Sequence, residues 1–199
     1  LYILYQYLIG FPLIVLSTLF AAVFTIVCFP WKNGKVPRAV QVFWSRSVIR
    51  LLLLPIKVTG RENVDPKQSY VFVANHQSFL DVFAVYGWLP NNFKWLMKKE
   101  IRRVPFVGTA CAVAGHIFVD RSNPRAALQS MEKVKKELVD GISTVIFPEG
   151  TRTKTGEIGR FKQGAFKIAM DMELPVVPIT LNGFYKAMPS GQPFANPFS

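Results

Sequence analysis

An α/β fold, with a mixed sheet layered by helices behind an N-terminal two-helix membrane anchor, is the fold class that this sequence predicts. Residues 1–31 carry no charged side chain, whereas the chain as a whole is 18% charged. From Lys57 onward, short apolar runs alternate with helical patterns, which is typical of a sheet covered by helices. We therefore expect a helical membrane anchor at residues 1–56 and an α/β domain at residues 57–199.

The first apolar segment is long enough to enter a bilayer. Leu13–Phe29 predicts roughly 26 Å of helix at about 1.5 Å per residue, slightly short of a hydrocarbon core of about 30 Å. Residues 1–10 can extend it to a full span, with a tilt or a kink near Pro12. A hairpin held in one leaflet, a transmembrane helix and a hairpin buried in a protein core are the alternatives.

A second helix is predicted at Val40–Leu54. Arg46 and Arg50 are four residues apart and share one helical face, while the other faces are apolar. This pattern favours a helix that lies in the membrane interface. Between the two segments, Asn33–Gly34 is typical of a turn.

The positive charge is concentrated next to the anchor. The formal net charge is +12, and every charged side chain from Lys32 to Arg61 is basic. Such a stretch favours anionic lipid head groups. Nucleic acid would also suit the charge, but the aromatic side chains cluster in the anchor and are not interleaved with a basic face. We expect a lipid bilayer as partner and no nucleic acid.

Five short runs rich in Val, Ile and Phe are predicted to be buried strands: Tyr70–Ala74, Phe93–Met97, Ile117–Val119, Ile142–Phe147 and Val176–Leu181. Two helices are predicted among them. Ala126–Asp140 has a capping Asn123 before it and Gly141 after it. Phe161–Met172 is the second.

The segment Asn75–Asp81 follows the first predicted strand, so His76 is expected at the carboxyl end of that strand, where α/β sheets place their sites. Asp81, on the helix that follows, can reach back to one imidazole nitrogen. The other nitrogen is then available as a base at neutral pH. The alternative is a structural histidine beside an ordinary acid in the first turn of a helix.

The segment Phe147–Arg152 also follows a predicted strand. Gly150 lets the backbone approach a ligand closely. Arg152 offers a planar fork that binds phosphate at two points, and Thr151 and Glu149 can hydrogen-bond to hydroxyl groups. The alternative is a Pro-Gly turn with a solvated arginine.

Together, the His-x4-Asp segment and the later Phe-Pro-Glu-Gly-Thr-Arg segment resemble the 1-acylglycerol-3-phosphate acyltransferase family. The resemblance runs from roughly Lys57 to Leu181. It continues in four further blocks: Trp95–Ile101, Gly115–Arg121, Phe161–Phe166 and Leu174–Ile179.

The resemblance implies lysophosphatidic acid as the acceptor and acyl-CoA or acyl-carrier protein as the donor. His76 would deprotonate the sn-2 hydroxyl and Asp81 would orient His76, with direct attack on the thioester and no acyl-enzyme. The sequence has no serine nucleophile elbow. Cys28 and Cys111 lie in apolar runs without acid–base partners, so we expect buried free thiols.

The resemblance also implies roles for the remaining site residues. Arg152 and Arg121 would hold the acceptor phosphate, with Lys98 as a further ligand. Gly150 and Thr151 would shape this pocket, and Glu149 would contact the glycerol. His116 is expected to be structural. No cofactor is expected and no metal, because two distant histidines and scattered acids lack ligand spacing.

The family implies helices embedded in one leaflet, and we expect the cytoplasmic face of a membrane (the plasma or inner membrane in a bacterium). Another lysophospholipid or lipid acceptor is the first alternative. A non-catalytic module that binds the membrane surface is the second. A protein that only binds membranes needs no general base. This argues against the second alternative, because the sequence contains His76, Asp81, Glu149 and Arg152.

Overall fold

The structure is a computed structural model that describes residues 1–28, 35–120, 134, 138 and 141–196. Its helices are α1 (Tyr2–Cys28, π-helical at Gln6–Gly10), α2 (Lys35–Leu51), α3 (Leu80–Trp88), α4 (Val107–Val113), α5 (Gly164–Asp171) and α6 (Phe184–Ala187). Its strands are β1 (Val71–Ala74), β2 (Asn92–Lys98), β3 (Ile117–Val119), β4 (Ile142–Ile146) and β5 (Val176–Ile179). Short 3-10 turns occur at Arg61–Asn63 and Lys99–Arg103.

The five strands form one sheet in the order β3-β2-β4-β1-β5. The α/β fold with a sheet layered by helices is thereby confirmed. The sheet was expected to be mixed, but every described pairing is parallel. Parallel neighbours need long crossovers, and α3, α4 and α5 each lie in one of them.

All five predicted strands are present, with bounds that differ by at most two residues. The helix predicted at Phe161–Met172 is α5, which begins at Gly164. The second predicted helix ends earlier than expected, because Leu53 adopts a φ of 55° and Leu54 N–H turns back to the carbonyl of Ile49. Of the helix predicted at Ala126–Asp140 the structure describes Val134 and Leu138, which are both buried, and the remainder lies outside the described residues. The Asn33–Gly34 turn also lies outside them.

The sheet separates two apolar layers, because successive strand residues point to opposite faces. Phe72 and Ala74 of β1 belong to the layer that includes α2 and α3. Val71 and Val73 belong to the layer that includes α5. On the first side, α3 also carries the site residue Asp81.

Helix α1 is long and apolar enough to cross a membrane, and it is the only such helix in the described part of the chain. Most of its side chains are exposed, whereas Ala21, Ala22 and Thr25 are buried. Trp44 of α2 donates to the Thr18 hydroxyl at 3.0 Å, so α1 docks on α2. Helix α1 can therefore anchor the chain to a membrane.

Helix α2 packs on α3 and is integrated into the core of the α/β domain. Val48, Ile49 and Leu52 are buried in the same layer as β1, while Phe43 and Arg50 are exposed. The guanidinium of Arg38 donates to the carbonyl oxygens of Pro90 and Asn91, in the loop that follows α3, at 2.7 Å each. A domain boundary at residue 56 remains a prediction.

Candidate active site

A histidine–aspartate pair lies at the carboxyl end of β1. The strand ends at Ala74, His76 follows in the loop, and Asp81 lies in the first turn of α3. The Nδ1 atom of His76 is 2.9 Å from Oδ2 of Asp81. Asp81 is fully buried, whereas His76 is partly exposed. The pair thus combines an inaccessible carboxylate with an imidazole that a ligand can reach.

One oxygen of Asp81 organises the whole loop between β1 and α3. Besides the His76 ring, Oδ2 accepts the backbone N–H groups of Gln77 at 2.6 Å and of Ser78 at 2.8 Å. Ser78 Oγ in turn accepts the N–H of Leu80 at 3.2 Å, which satisfies a donor at the start of α3. Oδ1 of Asp81 makes no hydrogen bond with any described residue. The carboxylate therefore fixes both the loop and the ring.

Glu149 connects the second motif to the first. It follows β4, which pairs in parallel with β1, so the carboxyl ends of both strands lie at one edge of the sheet. Glu149 is buried; Oε1 accepts the N–H of His76 at 2.7 Å and Oε2 accepts the N–H of Gly159 at 2.8 Å. Thr153 N–H donates to the carbonyl of His76 at 2.9 Å. The backbone around His76 is held by the second motif.

The imidazole ring is also held from one face. His76 stacks on Phe147 with ring centroids 3.9 Å apart and an interplanar angle of 11°. Phe147 stacks in turn on Trp95 at 5.4 Å. Because Nδ1 faces the Asp81 carboxylate, a neutral ring would place its proton there, and Nε2, which has no partner among the described residues, would keep its lone pair. This arrangement suits a general base.

The loop after Glu149 presents positive charge. Arg152 is partly exposed and forms no hydrogen bond or ion pair with any residue that the structure describes. Gly150 has a φ of 76°, and a Cβ atom there would come within 2.8 Å of Lys162 Nζ. Lys162 N–H also donates to the carbonyl of Pro148 at 2.9 Å. The Lys162 ammonium therefore lies over the backbone of Gly150.

Lys162 was not predicted to be a site residue, although it lies in the block Phe161–Phe166, which resembles the family sequence. The approach of its ammonium to Gly150 depends on a glycine that lacks a side chain and has a positive φ. The glycine itself was predicted to allow close approach of a ligand. Its contact with Lys162 joins residues twelve positions apart, and no local pattern in the sequence indicates that contact.

The other predicted site residues have different settings. Thr151 is exposed on the loop after Glu149. Lys98 ends β2 and is exposed, with its ammonium 3.7 Å from Glu100. It lies at the same edge of the sheet as His76, because all described strands are parallel. Arg121 lies outside the described residues.

His116 is buried away from this edge, whereas Cys111, which was expected to be buried, is only partly buried, as is Cys28. Both ring nitrogens of His116 are engaged: Nδ1 accepts the N–H of Trp95 at 3.3 Å and Nε2 is hydrogen-bonded to Tyr86. Burial, with Lys94 nearby, lowers the pKa of His116 to about 3, so it is neutral at ordinary pH. Burial raises the pKa of the Cys111 thiol to about 11, which makes it a poor nucleophile. These contacts and pKa shifts favour structural roles for His116 and Cys111.

A cavity of about 550 Å³ lies on the α3 side of the sheet. Phe72, Ala84 and Trp88 line it together with residues 54–61 and 177–184. His76 does not line this cavity, so the cavity and the histidine–aspartate pair are separate features. Within the described residues, no group of three His, Cys, Asp or Glu side chains is placed to hold a metal ion.

Both the family model and the curated relatives that match this chain are acyltransferases. A family model described as "Acyltransferase" matches residues 55–182, which include every candidate site residue named above. The chain is 39% identical over 137 residues to the chloroplastic 1-acyl-sn-glycerol-3-phosphate acyltransferase of Arabidopsis thaliana, covering 68% of this chain and 38% of the relative. It is 36% identical over 146 residues to the alpha enzyme of that name from Homo sapiens, covering 69% and 52%.

A solved structure is similar over most of the chain. The crystal structure of the 1-acyl-sn-glycerophosphate acyltransferase from Thermotoga maritima superposes with a TM-score of 0.74 and 26% sequence identity. The match covers 92% of this chain and 78% of that one. The chain spans about half or less of the length of the two curated relatives named above.

Proposed function

The chain belongs to the acyltransferase family, and from that premise we propose that it transfers a fatty acyl group to the sn-2 hydroxyl of 1-acylglycerol-3-phosphate, which yields phosphatidic acid. The observation that carries the proposal is the pair of His76 and buried Asp81, with Nε2 of the histidine left available. Relatives named for this reaction support it. Lysophosphatidic acid is the proposed acceptor, with acyl-CoA or acyl-carrier protein as donor.

The proposed chemistry is a direct transfer. Nε2 of His76 takes the proton of the acceptor hydroxyl while the hydroxyl oxygen attacks the thioester carbonyl. A carbon–oxygen bond forms, the carbon–sulfur bond breaks, and the proton passes from His76 to the leaving thiolate. Asp81 stabilises the imidazolium that forms in between, as carboxylate partners of catalytic histidines do. General-base catalysis of this kind contributes about 10²- to 10⁴-fold.

Glu149 is proposed to be a positioning residue. The family resemblance predicts a contact with glycerol, but its two oxygens already accept the backbone N–H groups of His76 and Gly159. These contacts favour a role in holding the loop that carries His76. Phe147, stacked beneath the ring, would restrict rotation of the imidazole about its side-chain bonds. Together they would keep Nε2 directed at the acceptor hydroxyl.

The acceptor phosphate is proposed to lie against the loop of the second motif. Arg152 can offer two parallel N–H donors to one phosphate. Lys162, whose ammonium lies over Gly150, adds a second positive charge to the same loop. Lys98 and Arg121 are the further phosphate ligands that the family resemblance implies, and Gly150 and Thr151 are proposed to shape this pocket.

Helix α1 is proposed to hold the enzyme in one leaflet, at the cytoplasmic face of its membrane. Residues 1–56 would form the anchor and residues 57–199 the catalytic domain. A cysteine introduced at Leu1 should react with an impermeant reagent only from the side that also labels the catalytic domain. Reaction from the opposite side would establish a transmembrane helix and exclude the one-leaflet arrangement.

The proposed function is tested by offering the purified protein a panel of lysolipids with acyl-CoA and with acyl-carrier protein. Lysophosphatidic acid should be acylated at sn-2 far faster than lysolipids with larger head groups or an ornithine-type lipid. Faster acylation of another acceptor would keep the chemistry but reject the proposed substrate. No transfer to any acceptor would favour a module that binds the membrane surface without catalysis.

A further inference from the structure

The connection between β2 and α4 exposes apolar side chains next to two arginines. After the 3-10 turn Lys99–Arg103, Val104 is 46% exposed and Phe106 is 53% exposed. Arg102 and Arg103 directly precede them and are also exposed. The family match does not explain why a valine and a phenylalanine face solvent here. We call residues 102–106 the β2–α4 turn.

The backbone holds the β2–α4 turn in a conformation that side-chain-bearing residues rarely adopt. Phe106 has φ 60° and ψ −51°, and Val107 N–H donates to the carbonyl of Pro105 at 2.6 Å. These are the features of a strained γ-turn. Gly108 N–H donates to the carbonyl of Val104 at 2.8 Å, and any Cβ at Gly108 would overlap the carbonyl of Arg102.

Such strain persists only where the surrounding structure enforces it, and it concentrates at positions that serve function. A glycine at position 106 would relieve the strain, because glycine adopts positive φ freely. Phe106 instead occupies this position and presents an aromatic ring to the outside. The β2–α4 turn therefore holds an exposed apolar tip in a strained backbone conformation.

The position of the β2–α4 turn indicates its partner. Helix α4 begins directly after Phe106 and packs against α1, the helix that can enter a membrane. The turn also follows the carboxyl end of β2, at the edge of the sheet where His76 and Glu149 lie. The turn is thus continuous with the anchor on one side and with the candidate active site on the other.

The charge of the β2–α4 turn fits the same partner. Arg103 is exposed, and the guanidinium of Arg102 lies 5.5 Å from the ring centre of Phe118. Each basic side chain near an anionic bilayer surface adds attraction to the head groups. Apolar side chains flanked by arginines are typical of segments that lie in the interface between head groups and acyl chains.

We propose that Val104, Pro105 and Phe106 insert into the lipid bilayer as a second membrane contact, with Arg102 and Arg103 at the anionic head groups. The proposal rests on the membrane role of α1 given under Proposed function. Two contacts, α1 and the β2–α4 turn, would fix how the sheet edge with His76 is inclined toward the bilayer. The glycerol backbone of a lipid acceptor would then meet His76 without leaving the membrane.

The test places an environment-sensitive fluorophore at the tip of the turn. In the full chain with Cys28→Ala and Cys111→Ala, a single cysteine replaces Phe106 and carries the fluorophore. The labelled protein is reconstituted with vesicles of phosphatidylethanolamine and phosphatidylglycerol, with or without a nitroxide-bearing lipid that quenches from within the bilayer. Fluorescence is also recorded with acyl-carrier protein in place of vesicles.

Two matched positions serve as controls. Met170 of α5 is 78% exposed, on the helix that packs against the other face of the sheet, so a label there should stay in water. Leu16 of α1 is 62% exposed, so a label there should be quenched. We expect the label at position 106 to shift to the blue and to be quenched several-fold more than the label at position 170.

The outcomes separate the two proposals. Quenching at 16 with no difference between 106 and 170 would overturn the second contact and leave the anchor standing. No quenching at 16 would reject the anchor and, with it, the basis of this inference. A shift at 106 that appears only with acyl-carrier protein would assign the β2–α4 turn to a protein partner and overturn the bilayer contact.

A second variant avoids the apolar label. Phe106→Gly should keep or raise the melting temperature, because glycine relieves the positive φ. Its acylation rate on acceptor presented in vesicles should fall roughly tenfold. That is the order expected when a phenylalanine side chain partly buried in the bilayer is lost. Its rate in detergent micelles should match wild type, and Met170→Gly should leave the ratio of vesicle to micelle rate unchanged. An unchanged ratio for Phe106→Gly would contradict the proposal.

Discussion

Asp81→Asn separates the charge of the buried carboxylate from its shape. In the wild-type chain, Oδ2 accepts three N–H donors, from the ring of His76 and from the backbone of Gln77 and Ser78. The amide oxygen of the replacement can take that place, because an amide nitrogen there would face three donors. The amide nitrogen would then occupy the place of Oδ1, which has no partner among the described residues. The loop should therefore keep its geometry.

What the substitution removes is the negative charge beside the imidazolium. Two unit charges about 4 Å apart attract by about 4 kcal/mol at an effective dielectric constant of about 20. Each 1.36 kcal/mol corresponds to about a tenfold change in rate. If the charge on His76 is mostly developed in the transition state, the carboxylate supplies about 10²- to 10³-fold of the rate. We expect kcat of Asp81→Asn to fall by that factor, with KM for the acceptor changed less than about threefold.

The assay measures initial rates of transfer from a labelled acyl donor to lysophosphatidic acid in mixed micelles, together with the melting temperature of each variant. Glu157→Gln is the matched control, since Glu157 is an exposed acid on the loop of the second motif; it should retain wild-type kinetics. Asp81→Asn that melts normally and keeps more than about a tenth of the wild-type kcat would refute the assigned role of the carboxylate.

Three further substitutions test other parts of the account. Arg152→Lys keeps the charge but removes the two-point fork, so kcat/KM for lysophosphatidic acid should fall at least about tenfold; a silent change would place the phosphate elsewhere. Cys111→Ala should retain activity, and the labelled donor alone should leave no covalent mark, because burial raises the pKa of this thiol to about 11; a stoichiometric acylated residue would overturn direct transfer. The lowered pKa of His116, about 3 when folded, means that below its ordinary value the unfolded chain binds a proton that the folded chain excludes. Wild-type stability should therefore fall as pH drops from about 6.5 toward 3, by up to about 1.4 kcal/mol per pH unit from this group, and less steeply in His116→Gln; equal slopes in chemical denaturation would contradict this.

Local sequence patterns were enough to predict where the strands lie along the chain. The five predicted runs coincide with β1–β5. All five were expected to be buried, and β1 is, but β5 lies at one end of the sheet and has no buried residue. The order of the strands and their parallel pairing were not predictable, because pairing depends on contacts between residues far apart in the chain. Helix α4 was missed because its seven residues, from Val107 to Val113, are mostly small and show no amphipathic period.

In the candidate site, too, the features that depend on local sequence were predictable, and the contacts between distant segments were not. His76 and Asp81 are five residues apart, so their spacing and the strand before them indicated a possible pair, and their geometry matches that indication. The role of Glu149 toward His76 and the approach of Lys162 to Gly150 join separate segments, which no local pattern reveals. The stacking of His76 on Phe147 is likewise a product of the adjacent ends of β1 and β4.

His76→Ala provides the most direct test of the central claim that this histidine is the base of an acyl transfer. The purified variant is assayed with lysophosphatidic acid and acyl donor, and its binding to lysophosphatidic acid is measured in parallel. Turnover should fall by at least about 10²-fold, the lower range for the loss of a general base, while acceptor binding and the melting temperature should stay near wild type. A folded His76→Ala enzyme that keeps more than about a tenth of the wild-type rate would contradict the claim.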